Sequence, residues 1–353
     1  MRILNVVIGD ATGGRWQAFC DFGKALERTG AEVAYIIRPQ VQGVAELKAS
    51  NARVLTLRCS GHYDLLATIK AMGLLRQERP DAILVHCSRS LAMMKRASFG
   101  RIPVVAVLHN QKIKRMLKAD AFFCISEHIR RLIATALRSP EAQPSFVVPN
   151  MIEVPAGLTF APQPYHSPPV VGILSRLVPY KGIDVFIEAL TLLRAKGCPF
   201  RVAIGGDGES RESLQRQVRE LGLEQEVRFV GWVKDKADFF AGIDIFCLPS
   251  IHEPFGIVIL EAFLHGRPLV ATDADGPLEV CSHGQDALLA HKGDAASLAQ
   301  CLEALLLDPQ RAQDLARNGF AKVTREYSMA GVGKQLKADL ETVLAQFGSQ
   351  RRS

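Results

Sequence analysis

Short runs of β-branched and apolar residues alternate with longer segments of helical period along almost the whole chain, a pattern that predicts α/β layers. In the first half the strand-like runs cover residues 3–8, 32–37, 54–57, 82–86, 104–108, 121–125 and 146–148. Each is apolar at consecutive positions, as parallel strands covered on both faces are. Between them lie helical segments such as 15–29, which Gly30 stops, and 126–137, for which Ser126 offers an N-cap. Residues 155–169 hold five of the chain's 18 prolines and suit neither a helix interior nor a central strand, so they are the expected linker. The alternation then restarts, with strands at 170–174, 200–204, 227–230, 245–248 and 268–272. Helices are expected at 184–196, 210–221, 256–264, 295–307 and 309–320, a short one before 245, and a last one at 330–347. The pattern predicts two α/β domains, residues 1–160 and 161–330, followed by a C-terminal helical segment, 331–353.

Composition agrees with this layout: 353 residues fit two domains of about 150, and 48% hydrophobic residues supply two cores. Apolar runs such as 104–108 and 257–260 fall far short of the ~20 residues that cross a bilayer. Run 3–8 is too short for an export signal, so a cytoplasmic location is expected. The eight cysteines stand apart, with no C-x-x-C, and read as buried reduced thiols. Charge changes the picture more. The net charge is +7, yet residues 1–150 carry 22 Lys+Arg against 11 Asp+Glu, and the remainder carries 21 against 25. The basic excess is therefore entirely N-terminal, and it suits nucleic acid, an anionic membrane, a phosphorylated substrate or a merely solvated surface.

The densest chemistry is H-E-P-F-G-I-V-I-L-E, in which Glu253 and Glu261 are eight residues apart and can share one helix face. Glu253 precedes Pro-Phe-Gly at an expected helix N-terminus, where unpaired N–H groups favour anions and hydroxyl oxygens. Glu261 sits in an apolar run, where a carboxylate needs a hydrogen-bonding partner, a structural ion pair included. Arg176 and Lys181 follow the strand at 170–174, the strand-end position at which open α/β sheets bind ligands, and five residues apart they suit a diphosphate as well as a solvated surface. G-G-D-G-E at 205–209 invites a dinucleotide reading, but Arg211 stands where the third glycine belongs, which favours a tight turn. Gly13 and Gly14 follow the first strand, fitting close approach to an anion or a plain turn. His109 ends the strand at 104–108 and could meet a hydroxyl or a phosphate. Asp273 and Asp275 resemble a metal pair, although the following Gly-Pro favours a polar turn. No P-loop, H-E-x-x-H or G-x-S-x-G is present.

Taken together and in this order, these residues resemble the retaining nucleotide-sugar glycosyltransferases of the GT-B fold, family 4, which includes sucrose, mannosyl and lipopolysaccharide-core transferases. The resemblance is strongest over residues 170–327, in R-L-V-P-Y-K-G (176–182), G-G-D-G-E, V-R-F-V-G-W-V (227–233), the Glu253/Glu261 pair and G-P-L-E-V (276–280). It is looser in the first half, through Gly13-Gly14, His109-Asn110, Ser126 and Asn150. Departures are Met151 where the family often has Gly after Asn150, Leu278 at a position more often small or β-branched, and Asp275-Gly276 in place of Gly-Gly.

The resemblance implies two Rossmann-like α/β/α domains facing each other across a cleft, the first binding acceptor and the second the nucleotide sugar, with the final helix packing back on the first domain. It implies that Arg176 and Lys181 hold the donor diphosphate, that Glu261 accepts the ribose hydroxyls and that Glu253 contacts the transferred sugar. The N–H groups of Phe255, Gly256 and Ile257 would receive sugar or phosphate oxygens. Gly13 and Gly14 would approach the phosphate, His109 the sugar, and Gly231 and Val233 the base. The activity implied is a metal-independent, retaining hexosyl transfer from a UDP- or GDP-linked donor, with no cofactor. Its acceptor would be a glycan or lipid-linked, lipopolysaccharide-type molecule. The enzyme would be cytoplasmic and peripheral on the inner face of the membrane, with Lys95, Arg96, Arg101, Lys112, Lys114, Arg115 and Lys118 attracting anionic lipid or a phosphorylated acceptor core. No aromatic-interleaved basic strand or recognition helix supports a nucleic-acid partner. A sugar-nucleotide epimerase of the same fold, or a non-catalytic nucleotide-sugar or nucleic-acid binding protein, are the alternatives.

Overall fold

The computed structural model describes residues 1–9, 13–39, 47, 52–137, 141 and 143–350. The chain divides into two units, residues 1–153 with 328–353, and residues 154–327.

In the first unit, seven parallel strands run in the order β3-β2-β1-β4-β5-β6-β7 among the described residues: β1 (Arg2–Val7), β2 (Glu32–Ile37), β3 (Arg53–Thr56), β4 (Ala82–Val85), β5 (Val104–Leu108), β6 (Ala121–Cys124) and β7 (Ser145–Val147). Helices α1 (Gly14–Arg28), α2 (Leu65–Glu78), α3 (Ser88–Ser98) and α4 (Glu127–Ala136) connect them. Ser126 caps α4 through the Ile129 N–H. Every residue of β4, β5 and β6 is buried, which explains their uninterrupted apolar reading. The C-terminal helix, Met329–Gln350, lies against α1: its Leu336, Leu340 and Val343 join Phe22, Ala25 and Leu26 in one core, and Lys337 donates to the Thr29 carbonyl at 3.3 Å.

In the second unit the order is β10-β9-β8-β11-β12-β13, again parallel: β8 (Val170–Leu174), β9 (Arg201–Gly205), β10 (Val227–Gly231), β11 (Ile245–Leu248), β12 (Leu269–Thr272) and β13 (Leu288–Ala290). Its helices are α5 (Ile183–Ala195), α6 (Arg211–Glu220), α7 (Lys236–Ala241), α8 (Ile257–Leu264), α9 (Asp275–Val280), α10 (Ala295–Leu306) and α11 (Pro309–Glu326). In both sheets the strand order reverses once, between β1 and β4 and between β8 and β11, and the carboxyl ends of such strands are where open α/β sheets place ligands.

Four expectations change. The division falls at 153/154 and 327/328 rather than at 160/161 and 330/331. The proline-rich stretch is irregular but docked on the second unit: Tyr165 donates to the Leu305 carbonyl, and the buried Asp244 carboxylate accepts from the backbone N–H groups of His166 and Val170. Proline content marks where regular structure stops, not which core the chain packs on. The turn expected around Asp273-Ala274-Asp275 gives way to helix α9, with Pro277 in its first turn, where the missing N–H costs nothing. Helix α11 runs six residues past 320.

Candidate active site

After β8 the chain passes through residues 175–178 into a 3₁₀ turn, Pro179–Lys181. This loop lies directly against the one that follows β11. A Cβ on Gly182 would fall 2.1 Å from the Pro249 carbonyl oxygen, and the Tyr180 carbonyl accepts from the N–H groups of Ile251 (3.0 Å) and His252 (3.2 Å). The contact brings Lys181 Nζ to 2.5 Å from Glu253 Oε2, and these side chains are only 13% and 10% exposed. Ser250 Oγ donates to the same oxygen at 3.4 Å. Arg176 is exposed beside them and donates from Nη2 to the Tyr180 hydroxyl at 2.7 Å.

Glu253 and Glu261 do not share a helix face. Helix α8 starts at Ile257, because Gly256 is left-handed (φ 88°) and Pro254 has no N–H to give, so Glu253 stays in the preceding loop. No side chain caps α8, and its first N–H groups have no partner one turn back. With the helix dipole they make the Phe255-Gly256-Ile257 segment suited to an anion or a ligand oxygen. Phe255 is buried edge-on against Tyr327, with ring centroids 6.1 Å apart. From the other side the Gly276 N–H donates to the Glu253 carbonyl at 2.8 Å, and a Cβ on Gly276 would lie 2.5 Å from the Phe255 backbone.

Glu261, in the second turn of α8, pairs with Lys236 at 2.5 Å and is 12% exposed. Burial raises its pKa and the Lys236 charge opposes the rise. Gly231, at the end of β10, accepts from the Gly206 N–H at 2.7 Å, and Val233 packs over Gly205. The G-G-D-G-E loop is stitched to the β8 loop, Leu177 N–H donating to the Asp207 carbonyl, in keeping with a tight turn. Asp273 hydrogen-bonds His291 Nδ1 at 3.0 Å and accepts from the Lys292 N–H, while Asp275 opens α9.

In the first unit Gly13 is the N-cap of α1 and Gly14 its first residue, with no side-chain cap. His109 follows β5, and its Nε2 lies 2.9 Å from Nδ1 of His86, which follows β4. His86 Nε2 lies in turn 2.8 Å from Asn5 Oδ1. Burial and the positive charge of Arg15 hold both imidazoles neutral, pushing the His109 pKa down to about 3 and that of His86 well below its ordinary value.

The structure thus gathers Arg176, Lys181, Glu253, Phe255, Gly256, Ile257 and Glu261 on loops and a helix at the carboxyl ends of the second sheet, with Gly231 and Val233 beside them. Gly13, Gly14 and His109 lie at the carboxyl ends of strands in the first. Lys236, Tyr180, Asn5 and His86 were not singled out from the sequence. Only His86 carries a signal there, ending an apolar strand as His109 does. The N-terminal basic set is not uniform: Lys95 is paired with Asp120 at 2.7 Å and Arg96 donates to the His62 carbonyl, whereas Lys112, Lys114, Arg115 and Lys118 are exposed. Among the described residues no helix is long and apolar enough to cross a membrane.

Residues 12–154 match the family model Glycosyltransferase Family 4, and residues 159–322 match Glycosyl transferases group 1. Over 336 residues, 91% of this chain and 93% of the relative, the sequence is 27% identical to the lipopolysaccharide core biosynthesis glycosyltransferase LpsE of Rhizobium meliloti (strain 1021). The fold is similar to that of Anabaena Alr3699/HepE in complex with UDP-glucose (TM-score 0.80, 23% identity, 97% of this chain and 100% of that one). It is also similar to the lipopolysaccharide outer core galactosyltransferase WaaB in its apo form (TM-score 0.76, 18% identity, 97% and 99%). These likenesses show the GT-B architecture.

Proposed function

The chain belongs to the family 4 glycosyltransferases, and within that family we propose that it moves a hexose from a UDP- or GDP-linked donor to a glycan or lipid-linked acceptor of the lipopolysaccharide type, with retention and without a metal. The observation that carries this reading is the Lys181–Glu253 pair with Arg176 beside it and the uncapped N-terminus of α8 next to it, all at the strand-order reversal of one sheet. The complex of HepE with UDP-glucose supports a UDP-linked donor, and the lipopolysaccharide core assignment of LpsE supports the acceptor class.

In this reading Arg176, Lys181 and the N–H groups of residues 255–257 receive the donor diphosphate. Charge builds on the leaving phosphate as the bond to the anomeric carbon breaks, and donors already fixed in place stabilise it without reorganising. The acceptor hydroxyl attacks from the face the phosphate leaves, and a phosphate oxygen takes its proton, giving glycoside and nucleoside diphosphate. No protein nucleophile is required. Glu253, anchored by Lys181, accepts from hydroxyls of the transferred sugar; Glu261 accepts from the ribose, and Gly231 and Val233 border the base. For Gly13 and Gly14 of the first unit the ligand group proposed is a phosphate, and for His109 a sugar hydroxyl.

The same reading gives the first unit a membrane role. Tyr63, Leu65, Leu66 and Ile69, at the start of α2, are 87%, 70%, 75% and 63% exposed, with Arg58, Lys70 and Arg76 also exposed on or near this helix. An exposed apolar surface with cations near it, in the basic half of the chain, suits an anionic bilayer, so the enzyme acts in the cytoplasm at the inner membrane face.

Calorimetric titration with UDP, GDP and ADP in EDTA tests the donor site. Selective binding of one nucleoside diphosphate, weakened in Arg176→Ala, supports it; binding of none overturns it. Proton NMR of the first-formed glycoside settles retention, and an inverted anomeric centre would refute it.

A further inference from the structure

The first unit contains a chain of hydrogen bonds that decides which nitrogen of His109 carries a proton. It begins at Asn5, buried in β1, whose Nδ2 donates to the Phe19 carbonyl at 2.9 Å. A carbonyl only accepts, so the amide nitrogen faces Phe19 and Oδ1 faces His86. Oδ1 is itself only an acceptor, and His86 Nε2, 2.8 Å away, must therefore hold the proton. Neutral imidazole has a single N–H, which leaves His86 Nδ1 bare. His109 Nε2, 2.9 Å from that bare nitrogen, must then be the donor, and His109 Nδ1 is left with its lone pair. Among the described residues Nδ1 has no hydrogen-bond partner, and the residue is half-buried.

Only a charged His86 would reverse this order, because it would donate from both nitrogens. Its surroundings oppose the charge. Phe19 and Phe22 stand edge-on to the ring at 5.3 and 5.8 Å, and the His109 ring meets it edge to edge, 19° from its plane with centroids 5.1 Å apart. Among the described residues the charged side chain whose field lowers the pKa of both rings is Arg15 of α1, and its sign disfavours a second cation.

We propose that Asn5 and His86 are positioning residues that lock His109 in the Nε2–H tautomer, so that His109 presents only an acceptor, Nδ1, and selects a ligand hydroxyl over a phosphate oxygen. The lock stands on the first unit alone. That the hydroxyl belongs to a sugar rests on the glycosyltransferase reading above.

Long-range ¹H–¹⁵N spectra of the full chain labelled at histidine, recorded from pH 8 to pH 5.5, test the lock without any donor. The expected result is two neutral rings, each protonated at Nε2, throughout the range. A ring protonated at Nδ1, or an imidazolium at either position, would overturn it. In His86→Phe the ring contacts remain and the relay is gone: His109 becomes a mixture of tautomers and kcat/KM falls roughly tenfold, the loss of about one hydrogen bond. His86→Gln, which keeps a donor toward Asn5 and an acceptor toward His109, restores most of that loss. Equal losses in the two variants would sink the relay. Addition of UDP alone should leave the His109 Nδ1 resonance in place while UDP-glucose moves it; a shift with UDP alone would refute selection for a hydroxyl. Failure to bind UDP, UDP-glucose, GDP or a GDP-linked hexose with the tautomers intact would count against the functional reading and not against the lock.

Discussion

Lys181 Nζ and Glu253 Oε2 are 2.5 Å apart although 72 residues separate them in sequence. Each sits in the loop leaving one of two neighbouring strands, β8 and β11, between which the strand order reverses. Both side chains are nearly out of water, so each charge depends on the other. Removing one member of such a pair leaves an uncompensated charge and costs more than removing both. Lys181→Met is expected to destabilise the protein by about 2–4 kcal/mol, and adding Glu253→Gln should recover part of that loss. Urea denaturation of the four proteins of the cycle measures the coupling; strict additivity would mean the two charges do not support each other.

Glu261 presents the opposite balance. Its raised pKa means that the fold favours the protonated carboxyl. The stability associated with that proton is fully present below the ordinary carboxyl pKa and is lost as pH rises through the folded value. Glu261→Gln should therefore gain in melting temperature relative to the native protein between pH 4 and pH 7, while nucleoside diphosphate binding weakens about tenfold or more. Thermal scans across that range, with titrations at pH 7, check both. A variant whose relative stability falls with rising pH would contradict the sign.

Gly276 leaves no room for a side chain, its Cβ position lying 2.5 Å from the Phe255 backbone. Gly276→Ala must push the segment from Glu253 to Gly256 outward, at a cost of about 1–3 kcal/mol. Donor affinity should fall with it, because that segment carries both the Glu253 carboxylate and the α8 N-terminus. Melting temperature and nucleotide affinity are the readouts, and an alanine variant with native values of both would show that the loop tolerates the shift.

Leu65, Leu66 and Ile69 are exposed, so charged replacements there should leave the fold intact. Leu66→Asp with Ile69→Asp is expected to keep the native melting temperature and to lose co-sedimentation with vesicles containing anionic lipid. High salt should weaken binding of the native protein to the same vesicles. Vesicle binding that survives both the double substitution and high salt would place the contact elsewhere.

Much of the fold could be read in advance, for identifiable reasons. The central strands of both sheets are buried on both faces, so Val104–Leu108 and Ile245–Leu248 read as unbroken apolar runs. Ser126 could be recognised as an N-cap because capping is local. The short helix α9 is not legible in the sequence, because Gly276-Pro277 reads as a turn when nothing local indicates that a neighbouring loop holds it in place. Residues 155–169 read as a linker because nothing in that stretch reveals that Tyr165 and His166 bond into the second unit.

The site divides along the same line. The strand-end positions of Arg176, Lys181 and His109, the glycines at 13 and 14 and the residues before α8 follow from local pattern, since helix and strand periods decide where loops fall. Which charges meet is a long-range matter. Spacing placed Glu253 and Glu261 together, whereas the fold gives Glu253 to Lys181 and Glu261 to Lys236. The tautomer of His109 likewise depends on Asn5, more than 100 residues earlier, and on His86, which enter its surroundings only because β1, β4 and β5 lie side by side. The order of elements and the chemistry available at each loop are written in the sequence. Pairings across strands are decided by tertiary structure, because hydrogen bonds and buried charges act over about 3 Å of space whatever the distance along the chain.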